Sequence, residues 1–277
     1  MVSRPPRFEL LSGVPQGEAT WFIFQKGKLL LRGDDTLPVG RAADLELELV
    51  NALGRLDGQP YAAAQLRGEV PPGYTLSPLR ALAGHLSEDL FGLAGFAAQV
   101  VDFDRTHAFC GFCATPLTVT GHEYAKTCPR CSLTVYPRVA PVAMVLIRRG
   151  AGAETELLLA RGPQFPPGMY SALAGFVQPS ETLEQAAARE VLEEVGVRLR
   201  DLRYVLSQPW PFPHSLMIGF EAQADGGEIV PQPGEIEDAR WFSVSALPAL
   251  PPRFSIARQL IDRAVAGALG RADFAAF

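Results

Sequence analysis

Glu190, Glu193 and Glu194 stand at i, i+3 and i+4. On a helix that spacing puts three carboxylates on one face, within about 100° of arc. Like charges so placed repel one another and weaken the helix. Acidic groups near its C-terminal end also oppose the macrodipole. Bound hard cations remove both costs: carboxylate oxygens suit Mg²⁺ or Mn²⁺, and Mg²⁺ often bridges carboxylates to substrate phosphates. A solvated acidic face is the competing reading of the same run. The flanks are punctuated as a helix requires. Thr182-x-x-Gln185 offers a capping box, and Gly196 offers a left-handed stop. Arg189 can pair with Glu181 and hold the preceding loop against the helix.

Cys110, Cys113, Cys128 and Cys131 form two CxxC pairs with fourteen residues between them. In a reducing compartment this spacing reads as a tetrahedral Cys₄ zinc site. The alternative, two disulfides, needs an oxidising one. The intervening "ATPLTVTGHEYAKT" reads as a short hairpin with its turn near Gly121, as in a zinc ribbon. Four sulfurs close the zinc shell, which leaves His107 and His122 as bystanders.

A third segment, "SQPWPFPHS" (207–215), sets Pro209, Pro211 and Pro213 around Trp210 and Phe212. Each proline removes a ladder donor, so a strand interior is a poor explanation. The prolines are two apart, so the segment is not a PxxP ligand. What remains is a rigid aromatic loop that builds a pocket, or a stiff connection with two rings in a core.

These groups need elements to position them. The chain has 277 residues, 48% hydrophobic and 20% charged, enough for about two packed domains and a small third unit. Residues 1–105 read as a small α+β domain without a chemical motif, a scaffold or dimerisation unit. In it, "WFIFQKGKLLLR" (21–32) predicts two strands joined at Lys26-Gly27. "DLELELV" (44–50) predicts another, and the apolar spacing after residue 75 predicts one or two helices. Residues 106–137 are the zinc unit. Residues 138–277 alternate strands and helices and so form an α/β unit, closed by an amphipathic helix over 256–269. The fold class is thus α/β in the last unit and α+β in the first. The net charge is −5 with only three lysines. That balance argues against nucleic-acid binding through phosphates as the main task. Around the ribbon, Arg105, Lys126, Arg130 and Arg138 are nearly balanced by Asp102, Asp104 and Glu123, so a metal staple is favoured there. No apolar run approaches the roughly 20 residues of a membrane span, and "MVSRPPRFEL" lacks the apolar stretch of a secretory leader. The expectation is a cytoplasmic protein without membrane attachment.

Gly175, five residues, Glu181, seven residues, then Arg189-Glu190-Val191-Leu192-Glu193-Glu194-Val195-Gly196-Val197 resembles the complete Nudix box, with every fixed position filled. The resemblance implies a Nudix fold for the last unit, a mixed sheet between helices, and hydrolysis of a nucleoside diphosphate linked to another moiety. The segment 207–215 downstream and the four-cysteine segment upstream make the whole chain similar to the NADH pyrophosphatase branch of that family. That branch cleaves NAD(H) to nicotinamide mononucleotide and AMP, and its bacterial members remove NAD caps from RNA 5′ ends. Its members are homodimers.

Carried over position by position, the resemblance implies that Glu190, Glu193, Glu194 and the Ala174 carbonyl hold Mg²⁺ or Mn²⁺. Glu235, in "PGEIEDARWF", matches a further acidic ligand or base, with Glu237 and Asp238 close beside it. Substrate contacts fall on Gln208, Pro209, Trp210, Pro211, Phe212, Pro213, His214 and Ser215. Phe176 is implied as a base platform, and Tyr136, Glu123 and Ala257 as looser substrate positions. Gly175, Glu181, Arg189 and Gly196 support the box. The stretch "FVQPSE" departs from the family, which often has an acid and a glycine shortly before Glu181. ADP-ribose and dinucleoside polyphosphates are alternative substrates. A protein that binds RNA or nucleotide without turnover is the alternative from another class.

Overall fold

The break at Lys26-Gly27 is a tight turn in which both residues take positive φ, 50° and 74°, the twist that joins two strands directly. The computed structural model, which describes residues 8–10, 17–41, 45–120 and 124–270, places this hairpin in a seven-stranded sheet. Its strands are β1 (Phe8–Leu10), β2 (Ala19–Gln25), β3 (Lys28–Arg32), β4 (Val39–Gly40), β5 (Leu47–Leu56), β6 (Gln59–Leu66) and β7 (Tyr74–Pro78). Their order is β1-β5-β6-β2-β3-β7, with β4 beside β2. The strand expected from residue 44 starts at Leu47 and runs on to Leu56, where Asp57-Gly58 turns it into β6. One long helix, α1 (Glu88–Thr106), follows a short 3₁₀ turn at Leu79–Leu82. Ser87 caps it by accepting from the Leu90 N–H. Leu93, Ala97 and Val101 of α1 pack with Phe22, Leu29 and Leu31 of the sheet.

The four-cysteine segment carries three two-residue strands, β8 (Thr118–Val119), β9 (Lys126–Thr127) and β10 (Thr134–Val135), in the order β10-β9-β8. The hairpin between β8 and β9 is as expected; its turn at Gly121 lies outside the described residues. So small a sheet buries little, and its links are polar. The Tyr124 hydroxyl donates to the Ala52 carbonyl at 2.7 Å. The Lys126 ammonium pairs with Asp104 at 2.8 Å and donates to the carbonyls of Asp104 and His107 at the end of α1. The residues up to Arg138, with Pro211–His214, form one unit; Val139–Trp210 and the residues from Ser215 onward form the other.

In the second unit the apolar run around Met144 becomes β11 (Ala140–Arg149), buried on both faces. With it stand β12 (Glu156–Arg161), β13 (Leu173–Phe176), β14 (Leu199–Trp210), β15 (Ser215–Ala224) and β16 (Asp238–Ser243). The order is β14-β15-β11-β12-β16, with β13 against β11. The pairing of β11 with β15 is parallel and the others are antiparallel, so the sheet is mixed. The helix α2 (Leu183–Val195) packs Ala186, Ala187, Val191 and Val195 on one face of it. The helix α3 (Ile256–Ala268) packs Ile256, Leu260 and Ile261 on the other. This is the mixed sheet between helices that the resemblance to the Nudix box implies.

One expectation is corrected. Residues 207–210 are not loop: β14 continues through them, with Gln208 opposite Met217, Pro209 opposite Leu216 and Trp210 opposite Ser215. The strand lies at the sheet edge, where a missing proline N–H breaks no ladder on the open side. Only Pro211–His214 make the turn. Among the described residues no helix is long and apolar enough to cross a membrane.

Candidate active site and metal centre

The helix α2 starts as its sequence asks. The Thr182 hydroxyl accepts from the Gln185 N–H and the Gln185 side chain accepts from the Thr182 N–H. It stops at Gly196, with φ 73°. Its apolar stripe faces the sheet, which leaves the carboxylates at the border between helix and β13. There Gly175 has no space for a side chain: a Cβ would lie 1.8 Å from the Glu190 carboxyl carbon. Arg189 gathers the acids around it. Its guanidinium donates to both oxygens of Glu181 at 2.5 and 2.9 Å, to Glu190 at 2.8 Å and to Glu193 at 2.9 Å. It also donates to the Phe176 carbonyl at 3.0 Å. The Arg189 hydrogen bonds, then the Gln178 N–H, hold the Glu181 carboxyl down at about 2.

Glu194 faces the other way in chemistry. It is 8% exposed, and its Oε2 has no hydrogen-bond partner among the described residues. Burial, then the charges of Glu190, Glu235 and Glu193, push its carboxyl up to about 8. It lines a cavity of about 420 Å³ together with Ala174 and Glu235. An orphaned, buried carboxylate oxygen amid other carboxylates is costly, and a hard divalent cation with oxygen ligands relieves it. The residues therefore fit such an ion. Glu190 and Glu193 are drawn onto Arg189. Among the described residues, the carboxylates do not gather within 4.8 Å as a metal-ligating group; the cysteines do.

Of the three acids near residue 236, two are committed. Glu237 pairs with Arg161 at 2.7 Å. Asp238 accepts from the Tyr170 hydroxyl and pairs with Arg240 at 2.7 Å. Glu235 alone of the three lines the cavity.

The cysteines sit on two matching turns. The Ala114 N–H donates to the Cys110 carbonyl and the Ser132 N–H to the Cys128 carbonyl, both at 2.9 Å. Ala114 and Ser132 both take positive φ, 57° and 62°. The sulfurs of Cys110 and Cys131, Cys113 and Cys128, and Cys113 and Cys131 are 3.7, 3.5 and 3.7 Å apart. A disulfide needs about 2.05 Å. Four sulfurs at about 2.3 Å from one zinc stand near 3.8 Å from each other, so zinc fits this set. Cys113 is already pulled down to about 6, first by the Thr115 hydroxyl and then by the Thr115 backbone amide.

The aromatic segment is shared between the two units. Trp210 stacks on Phe254, with ring centres 6.1 Å apart and planes 15° from parallel. Gln208 has both ends of its amide on backbone, donating to Phe254 O at 2.7 Å and accepting from the Ile256 N–H at 2.8 Å. It thus ties β14 to the start of α3. Ser215 is buried. In the first unit Phe212 lies against the core around α1, beneath the Arg80 guanidinium at 4.9 Å and 6.4 Å from Phe91. Pro211 fills the space that a side chain at Gly95 would take. The His214 Nδ1 is buried without a hydrogen-bond partner among the described residues. Phe176 and Tyr136 are exposed, and Ala257 is buried in the core under α3. Glu123 lies outside the described residues. Sequence reasoning missed Gln164 and Phe165, which line the cavity; the proline-framed "GPQFPPG" was their signal.

Comparison with known proteins agrees with this geometry. The NUDIX domain family matches residues 138–264, and the NADH pyrophosphatase-like rudimentary NUDIX domain family matches residues 18–102. The protein called NAD-capped RNA hydrolase NudC of Deinococcus radiodurans is 54% identical over 93% of this chain and 91% of its own. Its namesake in Chromobacterium violaceum is 48% identical over 90% and 93%, and that of Stutzerimonas stutzeri 50% over 83% of each. Sharing more than half its residues with one such relative along nearly the full length of both, the chain belongs to the NUDIX hydrolase family.

Proposed function

We propose that this enzyme hydrolyses the diphosphate of NAD(H) to nicotinamide mononucleotide and AMP, and removes NAD caps from RNA 5′ ends. The observation that carries the reading is the cavity where buried Glu194 meets Glu235 and Ala174, beside a helix with the whole box. The names of the relatives support the choice of substrate.

Water attacks one phosphorus, a P–O bond of the diphosphate breaks, and two monophosphates leave. Mg²⁺ or Mn²⁺, held by the Ala174 carbonyl, Glu190, Glu193, Glu194 and Glu235, would neutralise the diphosphate, acidify the attacking water and stabilise the leaving oxygen. Arg189 positions: it fixes the loop before α2 through Glu181 and holds Glu190 and Glu193 at the edge of β13. Gly175 leaves the Glu190 carboxylate its place. Phe176 and Trp210 offer flat faces to nicotinamide or adenine. Phe212 anchors the hairpin turn, and Pro211 and Pro213 stiffen it so that little order is lost on binding. Pro209, His214, Ser215, Tyr136, Glu123 and Ala257 complete the substrate assignment by position in the family.

Zn²⁺ in the four cysteines is structural. The working boundaries are an N-terminal domain over 1–105 that serves as scaffold and dimerisation unit, a ribbon over 106–137 and a catalytic domain over 138–277. The enzyme acts as a homodimer in the cytoplasm, where the thiols stay reduced for zinc.

The test is a comparison of kcat/KM for NADH, NAD⁺, ADP-ribose and a short NAD-capped RNA, with Mg²⁺ or Mn²⁺ added. AMP release from NADH and a 5′-monophosphate on the RNA are expected. Retained RNA binding with no turnover of any diphosphate would favour a reader protein instead.

A further inference from the structure

The cavity that takes in Ala174, Glu194 and Glu235 is also lined by Gln164 and Phe165, which belong to neither the box nor the aromatic hairpin. They lie in "GPQFPPG" (162–168), where Pro163, Pro166 and Pro167 surround a single ring. Prolines fix φ, and the loop is further tied. The Phe165 N–H donates to the Gly162 carbonyl and the Met169 N–H to the Pro166 carbonyl, both at 3.1 Å. Arg161, while paired with Glu237 at 2.7 Å, donates to the Phe165 carbonyl at 3.4 Å. Gly162 has no room for a side chain: its Cβ would lie 2.5 Å from Gln164 Oε1 and 2.9 Å from the Glu235 carbonyl oxygen. The Gln164 amide and the Glu235 carbonyl thus both stand beside Gly162.

A rigid loop that holds a ring at a cavity needs a reason. The ring is not needed for folding in the usual sense, since Phe165 belongs to none of the apolar clusters formed by the described residues. The Gln164 side chain makes no hydrogen bond among the described residues either. At about 420 Å³ the cavity has the size of a small-ligand site, which ranges over roughly 300–1,000 Å³. One diphosphate and its cations leave much of that space unused. A flat apolar face beside an uncommitted amide suits a nucleoside, whose heterocycle stacks and whose edges and hydroxyls hydrogen-bond.

We propose that the Gln164–Phe165 loop is a further binding wall for one of the two nucleosides of the substrate, beside the ring faces already assigned. The Phe165 ring takes the heterocycle or the ribose face, and the Gln164 amide takes a polar edge. This rests on the dinucleotide reading of the site. The same chemistry serves nicotinamide riboside and adenosine, and the experiment separates them.

The experiment uses the full chain and the variants Phe165→Ala, Phe165→Tyr and Gln164→Ala. AMP and nicotinamide mononucleotide are each titrated calorimetrically without added divalent metal, and steady-state kinetics with NADH run in parallel. Phe165→Ala should weaken one mononucleotide, and raise KM for NADH, by between about fivefold and a hundredfold. The other mononucleotide and kcat should stay within about twofold. Phe165→Tyr should restore most of the affinity, and Gln164→Ala should weaken the same mononucleotide. The weakened mononucleotide names the half of the substrate on this wall. Unchanged binding of both, or equal loss of both with a lowered melting temperature, overturns the proposal. If the wild type releases no AMP from NADH, the proposed function fails, while the mononucleotide titrations still decide on the wall.

Discussion

At Gly175 a single hydrogen decides whether Glu190 has its place. A methyl group there would meet the carboxylate at 1.8 Å, and the other side of the contact is β13 backbone, which cannot give. Gly175→Ala should therefore cost activity by two orders of magnitude or more, about 3 kcal/mol of barrier, measured as kcat with NADH, while α2 itself survives by circular dichroism. Glu193 is a different case. It is an exposed carboxylate held by one contact to Arg189, so Glu193→Gln removes charge without emptying space. Turnover should fall by orders of magnitude with the urea midpoint nearly unmoved; near-normal turnover would take Glu193 out of the metal set. Three like charges on one helical face call for a partner but suit a solvated face as well, and it is the resemblance to the Nudix box that singles these residues out. The choice of Glu235 over Glu237 and Asp238 was not legible. It depends on Arg161, Tyr170 and Arg240 engaging the other two, and those contacts join residues far apart in the chain.

At the scale of the element, α2 is held by its ends and by Arg189. The Glu181 carboxyl, held at about 2 by Arg189, gives a pH dependence with a definite sign. Its folded value lies below the unfolded carboxylate value of about 4.3. Its contribution is complete above that value and disappears as pH falls toward 2. Between pH 5 and pH 3 the wild type should lose more stability than Glu181→Gln, read as the shift in urea midpoint for each; equal shifts would mean that the pair adds nothing. The helix limits were legible from Thr182, Gln185 and Gly196, because capping is local. The path of β14 was not. Proline argues against a strand unless the strand is at an edge, and edge position is a property of the finished sheet. That the strand continues to Trp210 places this ring on Phe254 at the last pair before the turn. Trp210→Ala should then raise KM for NADH more than KM for a simple diphosphate sugar. Equal loss on both would make the ring a packing residue.

At the scale of the whole molecule, the ribbon is a piece of chain that cannot fold by burial. Its described residues form three strands of two residues, and Phe109, Phe112 and Val119 are exposed. Segments of this kind depend on a metal for their fold, so protein purified without added zinc should contain about one zinc per chain. Oxidised cysteines in its place would contradict the assignment. Zinc would order the two cysteine turns, and Lys126 joins the segment to the rest of the first unit. Its ammonium is 10% exposed and Asp104 is 15% exposed. Asp104 also accepts from Asn51 of β5 at 2.6 Å, and Lys126 lies over the Phe103 ring at 5.3 Å. One buried pair thus connects ribbon, helix and sheet. Removing one partner of such a pair leaves a buried charge and costs about 3–5 kcal/mol, while replacing both costs much less. Lys126→Met should therefore destabilise by about 3 kcal/mol and speed zinc release to a chelator. Lys126→Met with Asp104→Asn should recover most of that loss, a coupling that a double-mutant cycle in urea measures. Additive losses would show that the pair does not join the ribbon to α1, and the zinc unit would then stand as an independent appendage.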